Sequence, residues 1–217
     1  MTGVQTCALP IYVQVLVDAG FGVLFTNPRG STGYGDEFSF AVHGDWADGP
    51  SRDVLQVIDE AERRGWAEPG RTGVMGLSYG GYLSAWLAAT TTRFRAAVIE
   101  NPVTDLASMY STSDIGIGVF AEHFGGGPHQ VGDPYRDQSP LTHAHRCTTP
   151  SLFVVGDEDR RCPPAQALAM HRVMRHVGTP SEVLVLPGCS HEGSTYGPVP
   201  SRVAANDAMV DWFHRYV

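Results

Sequence analysis

Gly76-Leu77-Ser78-Tyr79-Gly80 reads G-x-S-x-G, and it lies where an apolar run, "RTGVMGLS" (71–78), gives way to a helical pattern, "YGGYLSAWLAATT" (79–91). A tight turn between a strand and a helix forces its serine into a strained backbone conformation. The serine Oγ is then presented at the C-terminal end of a sheet. Glycines two residues before and after Ser78 are expected to let neighbouring backbones pass close by. The helix that starts at Tyr79 aims unpaired N–H groups at the point where an oxyanion would develop. A serine hydroxyl is a poor nucleophile without a base. The usual chain order after such a serine is an acid and then a histidine, each in a loop after a later strand. "SLFVVGDEDRRCPP" offers Asp157, Glu158 and Asp159 as the acid, and "VLVLPGCSHEGS" offers His191 as the base. The other histidines are worse placed: His171, His176 and His214 fall on helical patterns, and His43, His123, His129, His143 and His145 precede the acids.

Other chemistries fare poorly. All 15 basic residues are arginine, so a phosphate-loop lysine, a Schiff-base lysine and a Ser-Lys dyad are excluded. The "RGSTGYG" loop (29–35) lacks the G-x-G-x-x-G spacing of a dinucleotide site. His143, His145 and Cys147 form an H-x-H-x-C pattern with no evident fourth ligand, so no metal and no cofactor is expected. The net charge of −8 carries no basic run, which argues against nucleic acid or a membrane surface as partner, and no apolar stretch is long enough to span a bilayer. Cys7, Cys147, Cys162 and Cys189 make no C-x-x-C pair and read as free thiols in a reducing compartment, which favours the cytoplasm.

The elements that must position these residues alternate in type. Strands are expected at 21–27, 71–78, 94–102, 151–159 and 181–188. Helices are expected at 51–65 (Ser51 as N-cap, Val54, Leu55, Ile58 and Ala61 on one face), 79–91, 164–178 and 199–217. Short apolar strands alternating with helices predict an α/β protein with a mostly parallel sheet and helices on both faces. The stretch 103–150 is less regular and is expected to shape a substrate site. With 217 residues there is material for one sizeable core.

Taken together, "NPRGSTGYG" (27–35), "GDWADGPSRDV" (44–54), "GLSYGGY" (76–82), "SPLTHAHRCTTPSLFVVGDEDRRCPP" (139–164) and "PGCSHEGS" (187–194) resemble the catalytic domain of the prolyl oligopeptidase family of serine peptidases, in its acylaminoacyl-peptidase and dipeptidyl-peptidase-like branch. The resemblance implies an α/β-hydrolase fold and a nucleophile at Ser78. It places the acid on Asp159, three residues beyond the glycine that ends its strand, and the base on His191. It implies an oxyanion donor in the backbone N–H of Tyr79, and short peptides as substrates. Related α/β-hydrolases that act on esters, carboxylesterases or dienelactone-hydrolase-like enzymes, share the same triad and form the alternative. A non-catalytic binding protein on this fold is disfavoured by the intact Ser78, Asp159 and His191 set.

The resemblance also implies absences. Members carry an H-G-G-P-type segment that supplies a second oxyanion donor, and most carry an N-terminal β-propeller. Neither is found in this sequence, so the sheet is expected to lack its first strands, with a gap between 21–27 and 71–77. Residues 1–11 have no positive n-region and no small-residue cleavage site, so they make a poor signal peptide. "TGVQTCALPI" resembles a translated sequencing-adapter oligonucleotide. The expected organisation is therefore a non-native segment at 1–11 and a partial catalytic domain at 12–217. The oligomeric state is left open; a homo-oligomer is compatible with it.

Overall fold

The computed structural model describes the backbone of residues 5–217 and the side chains from Tyr12 onward. The expectation for residues 1–11 falls on side chains outside the described part. Among these residues four strands form one sheet in the order in which they occur: β1 (Gly73–Leu77), β2 (Ala96–Glu100), β3 (Ser151–Gly156) and β4 (Ser181–Leu186), every neighbouring pair parallel. The longer helices are α1 (Gln5–Asp18), α3 (Asp48–Arg63), α4 (Tyr79–Thr90), α10 (Ala165–His176) and α12 (Val199–Tyr216). Short helices fill the remainder: α2 (Asp36–Phe40), α5 (Leu106–Thr112), α6 (Gly116–Phe124), α7 (Pro128–Val131), α8 (Asp133–Asp137), α9 (Pro140–His143) and α11 (Gly193–Tyr196). The irregular stretch 103–150 is thus a cluster of short helices.

The two-residue period of the central strands builds a core on each side of the sheet. Ala96 and Val98 of β2, with Leu152 and Val154 of β3, face Tyr12 and Leu16 of α1 and Met209, Trp212 and Phe213 of α12. Ala97, Ile99, Phe153 and Val155 face the opposite way, against Ala85, Ala88 and Ala89 of α4 and Met170 and Met174 of α10. Strands β2 and β3 are buried along their whole length, as strands of a parallel sheet covered on both faces must be.

Two expectations are corrected. Residues 21–27 do not form a strand. Phe21 and Val23 pack beside the α1/α12 core, but none of residues 22–27 enters a backbone ladder among the described residues. Composition can favour a strand, but only a partner strand can satisfy its N–H and C=O groups. Here β1 is the sheet's edge among the described residues, paired on one side to β2 alone. Among the described residues the sheet has four strands rather than five, and Leu24 and Phe25 are left 50% and 63% exposed.

The second correction concerns Ser51. It lies inside α3, which starts three residues earlier at Asp48, and the Ser51 Oγ is buried without a partner. Asp45 caps this helix instead, its Oδ1 and Oδ2 accepting from the N–H groups of Asp48 and Gly49 at 2.8 and 2.9 Å. The apolar face of α3 is as expected: Val54, Leu55 and Ile58 pack against Leu87, Phe94 and Val74.

Candidate active site

Ser78 occupies the single residue between β1 and α4, at φ 62° and ψ −117°. Positive φ is rare for a residue with a Cβ and marks a backbone held by its surroundings. What holds it is visible. The Ser78 N–H donates to Glu100 O at the end of β2 (3.0 Å), and Tyr82 N–H returns to Ser78 O (2.8 Å). The Tyr79, Gly80 and Gly81 N–H groups before Tyr82 belong to the first turn, where a helix supplies no acceptor of its own.

The glycines permit the turn, though not quite as expected. A Cβ on Gly76 would lie 2.4 Å from the Gly80 backbone, and one on Gly81 would lie 2.4 Å from Glu100 O, whereas one on Gly80 would meet nothing within 4 Å. Gly76 and Gly81 are therefore the positions where the backbones need the space.

Asp159 and His191 are brought together from two loops. Asp159 follows β3 and is buried, with its carboxylate fully used. Oδ1 accepts from the N–H groups of Arg161 and Cys162 at 2.8 and 2.9 Å, and Oδ2 lies 2.7 Å from Nδ1 of His191. The backbone bonds anchor Oδ1 independently of the imidazole on Oδ2. Asp157 and Glu158, the other two acids considered, are exposed, and Asp157 is engaged elsewhere: its Oδ1 accepts from Gly188 N–H at 2.7 Å. His191 sits in the loop between β4 and α11, close to the end of β3. A Cβ on Gly156 would lie 2.3 Å from Cys189 O. Among the described residues no hydrogen bond joins Ser78 Oγ to His191. Burial pushes the pKa of the nearby Cys162 thiol up, which keeps it protonated.

The loops named by the sequence motifs brace this centre. The Arg29 guanidinium and N–H bind Asp53 of α3 at 2.6–2.9 Å, and this hydrogen-bonded pairing holds the Asp53 carboxyl below its ordinary pKa range. Trp46, just before α3, accepts through its carbonyl from Tyr79 Oη at 2.9 Å, and its ring packs edge-on against Tyr79 and Tyr82. Phe120 and Phe124 of α6 complete that aromatic wall beside α4.

The H-x-H-x-C residues do not converge. His143 Nε2 faces Asp137 O, His145 Nδ1 faces Thr142 O, and Cys147 Sγ faces Ala88 O. No cluster of three potential metal ligands occurs among the described residues. Asn101 was missed by the sequence reading. It is buried at the end of β2 with φ 37°, and its side chain reaches both the β3 end and the His191 loop. The only hint was an asparagine directly after a buried strand and before Pro102.

A profile of the prolyl oligopeptidase family matches residues 9–217. An uncharacterized peptidase of Bacillus subtilis, YuxL, is 35% identical over 205 residues, which is 94% of this chain and 31% of the relative. The acylamino-acid-releasing enzyme of Arabidopsis thaliana is 32% identical over 196 residues, covering 87% of this chain and 26% of that enzyme. Among solved structures, the acylaminoacyl peptidase of Pyrococcus horikoshii superposes with a TM-score of 0.84 at 29% identity, over 88% of this chain and 31% of that one. The chain thus spans about a third or less of the relatives it matches. Its sheet and helices are part of an α/β-hydrolase fold, and the chain belongs to the prolyl oligopeptidase family.

Proposed function

We propose that residues 12–217 are the larger part of the catalytic domain of a serine peptidase that hydrolyses short peptides through Ser78, Asp159 and His191. The observation that carries the reading is the pairing of a buried, doubly anchored Asp159 with His191 at the same C-terminal end of the parallel sheet as a positive-φ Ser78.

In this mechanism His191 Nε2 takes the Ser78 proton as Oγ attacks a peptide carbonyl. Asp159 accepts the Nδ1–H hydrogen bond and stabilises the imidazolium. The backbone N–H of Tyr79 donates to the oxyanion. Collapse of the tetrahedral adduct breaks the C–N bond, and the proton on His191 passes to the departing amine. Water then attacks the acyl-enzyme, giving its proton to His191, and Ser78 is restored.

The choice of peptides over esters is supported by the family and by its relatives. One solved acylaminoacyl peptidase, with a TM-score of 0.84 to this chain, is bound to Z-Gly-Gly-Phe-chloromethyl ketone, a peptide-like reagent. The relatives' greater length supports a full-length protein with a further N-terminal region, a β-propeller by family resemblance, together with the H-G-G-P-type oxyanion segment. Residues 1–11 are then foreign to it. Sequencing the source DNA upstream of the Tyr12 codon tests that organisation; a native reading frame encoding residues 1–11 would overturn it.

The activity is tested on the full-length protein with a fluorophosphonate probe, aminoacyl-anilides and simple acyl esters. Labelling lost in Ser78→Ala, with anilides turned over, is the expected result. Turnover of esters alone would move the reading to an esterase, and labelling that survives Ser78→Ala would remove it.

A further inference from the structure

The end of β2 touches every loop of the proposed triad. Glu100 O accepts the N–H of Ser78 (3.0 Å) and Asn101 N–H donates to Val154 O of β3 (2.9 Å). The Asn101 side chain goes further: Oδ1 accepts from Gly156 N–H, at the start of the Asp159 turn, at 3.0 Å. Nδ2 donates to the carbonyl of His191 itself at 2.6 Å. Both ends of the amide are used, which fixes its orientation: an N–H faces the oxygen and a C=O faces the nitrogen. The residue is 2% exposed and holds φ at 37°, a left-handed conformation that asparagine tolerates better than most residues. A buried residue at positive φ whose side-chain hydrogen bonds both run to the loops of one site points to a role in that site.

We infer that Asn101 is a positioning residue for the proposed hydrolysis: its amide pins the His191 backbone to the ends of β2 and β3 and so sets the distance from the imidazole to Ser78. This rests on the Ser78–Asp159–His191 reading. Asn101 touches no reacting atom. It acts on the one triad member carried by a loop that must cross from β4 to reach Ser78. The near-isosteres do not do the same at this position: aspartate offers no donor to the His191 carbonyl, leucine offers neither donor nor acceptor, and glutamine is one methylene too long.

The test uses Asn101→Gly, which keeps the positive φ available but removes both side-chain bonds. Asn101→Asp is the second variant; it keeps an acceptor for Gly156 N–H but sets an oxygen against the His191 carbonyl. Both are made in the full-length protein and assayed with an aminoacyl-anilide well below their melting temperatures, per native molecule counted by active-site titration. A displaced catalytic group costs roughly 10- to 100-fold. The expected result is a fall of that size in kcat and in fluorophosphonate labelling rate, with KM within about twofold and Asn101→Asp impaired at least as much as Asn101→Gly. A lower melting temperature with unchanged kcat in either variant would reduce Asn101 to a structural residue and overturn the inference. Ser78→Ala and His191→Ala run alongside: if they too leave turnover intact, it is the triad that fails, not Asn101's part in it.

Discussion

Asp159 receives His191 Nδ1 on one carboxylate oxygen at 2.7 Å while two backbone N–H groups hold the other. Asp157, two residues earlier, instead supports Gly188 across the base of the loop after β4. The two acids therefore differ cleanly in their partners. Asp159→Asn offers His191 Nδ1 the wrong partner for the working tautomer and is expected to lower kcat by about 10⁴-fold. Asp157→Asn is expected to leave kcat within about twofold, since its acceptor oxygen is retained. Steady-state rates of the two variants side by side decide the assignment; equal losses would refute it.

The sequence could indicate Ser78 because the signals of its turn lie within a few residues, a strand ending at Leu77, a helix starting at Tyr79 and glycines on either side, although Glu100 of β2 also holds it. It could not choose between Asp157 and Asp159 from the residues alone, because the choice depends on which carboxylate turns inward, and that is set by the N–H groups of Arg161 and Cys162. The family resemblance supplied the choice. The segment 21–27 illustrates the opposite limit. Its valine, leucine and phenylalanines are strand-like, yet pairing is a property of neighbours distant in sequence. Asn101 escaped notice for the same reason: its partners, Gly156 and His191, lie 55 and 90 residues further along the chain.

Gly80 and Gly81 are adjacent but unlike. A methyl group on Gly81 would press on Glu100 O, the acceptor that holds the Ser78 N–H, whereas one on Gly80 would point into open space. Gly81→Ala is expected to destabilise the fold by about 1–3 kcal/mol, as overpacking against backbone does, and to slow fluorophosphonate labelling by disturbing the turn. Gly80→Ala is expected to change stability by less than about 1 kcal/mol, in the favourable direction, because alanine is the better helix former. Denaturant melts of both variants measure this, and a Gly80→Ala loss as large as that of Gly81→Ala would contradict it.

Glu100 is buried on β2 with its Oε2 accepting from Tyr12 Oη at 2.7 Å and with Ser194, two residues into α11, also within reach. Desolvation raises its pKa above the ordinary carboxylate value, and the hydrogen bonds from Ser194 and Tyr12 only partly offset this. A raised acid pKa means that the folded state binds the proton more tightly than the unfolded state. The contribution to stability is therefore greatest below the ordinary carboxylate range and falls as pH rises through the interval up to the folded value. Glu100→Gln keeps an acceptor for Tyr12 and removes the titration. Its stability is expected to decline less than that of the native sequence between pH 4 and pH 8, a window of about four units around the carboxylate range. Parallel slopes for the two proteins in urea melts across that window would show that Glu100 is not the group responsible.

The open side of β1 makes the last prediction. Among the described residues the five of β1 pair with β2 alone, and Leu24 and Phe25 stand exposed on a segment without a ladder. Unpaired strand edges and exposed apolar side chains are templates for association with another chain. The 217-residue chain expressed by itself is expected to self-associate, and Leu24→Glu combined with Phe25→Lys to reduce that association. Because neither side chain is buried, the pair of changes should shift the unfolding free energy by no more than about 0.5 kcal/mol each. Sedimentation velocity over a concentration series measures the first effect and thermal melts the second. A native chain that sediments as a monomer at every concentration would show that this edge is already covered.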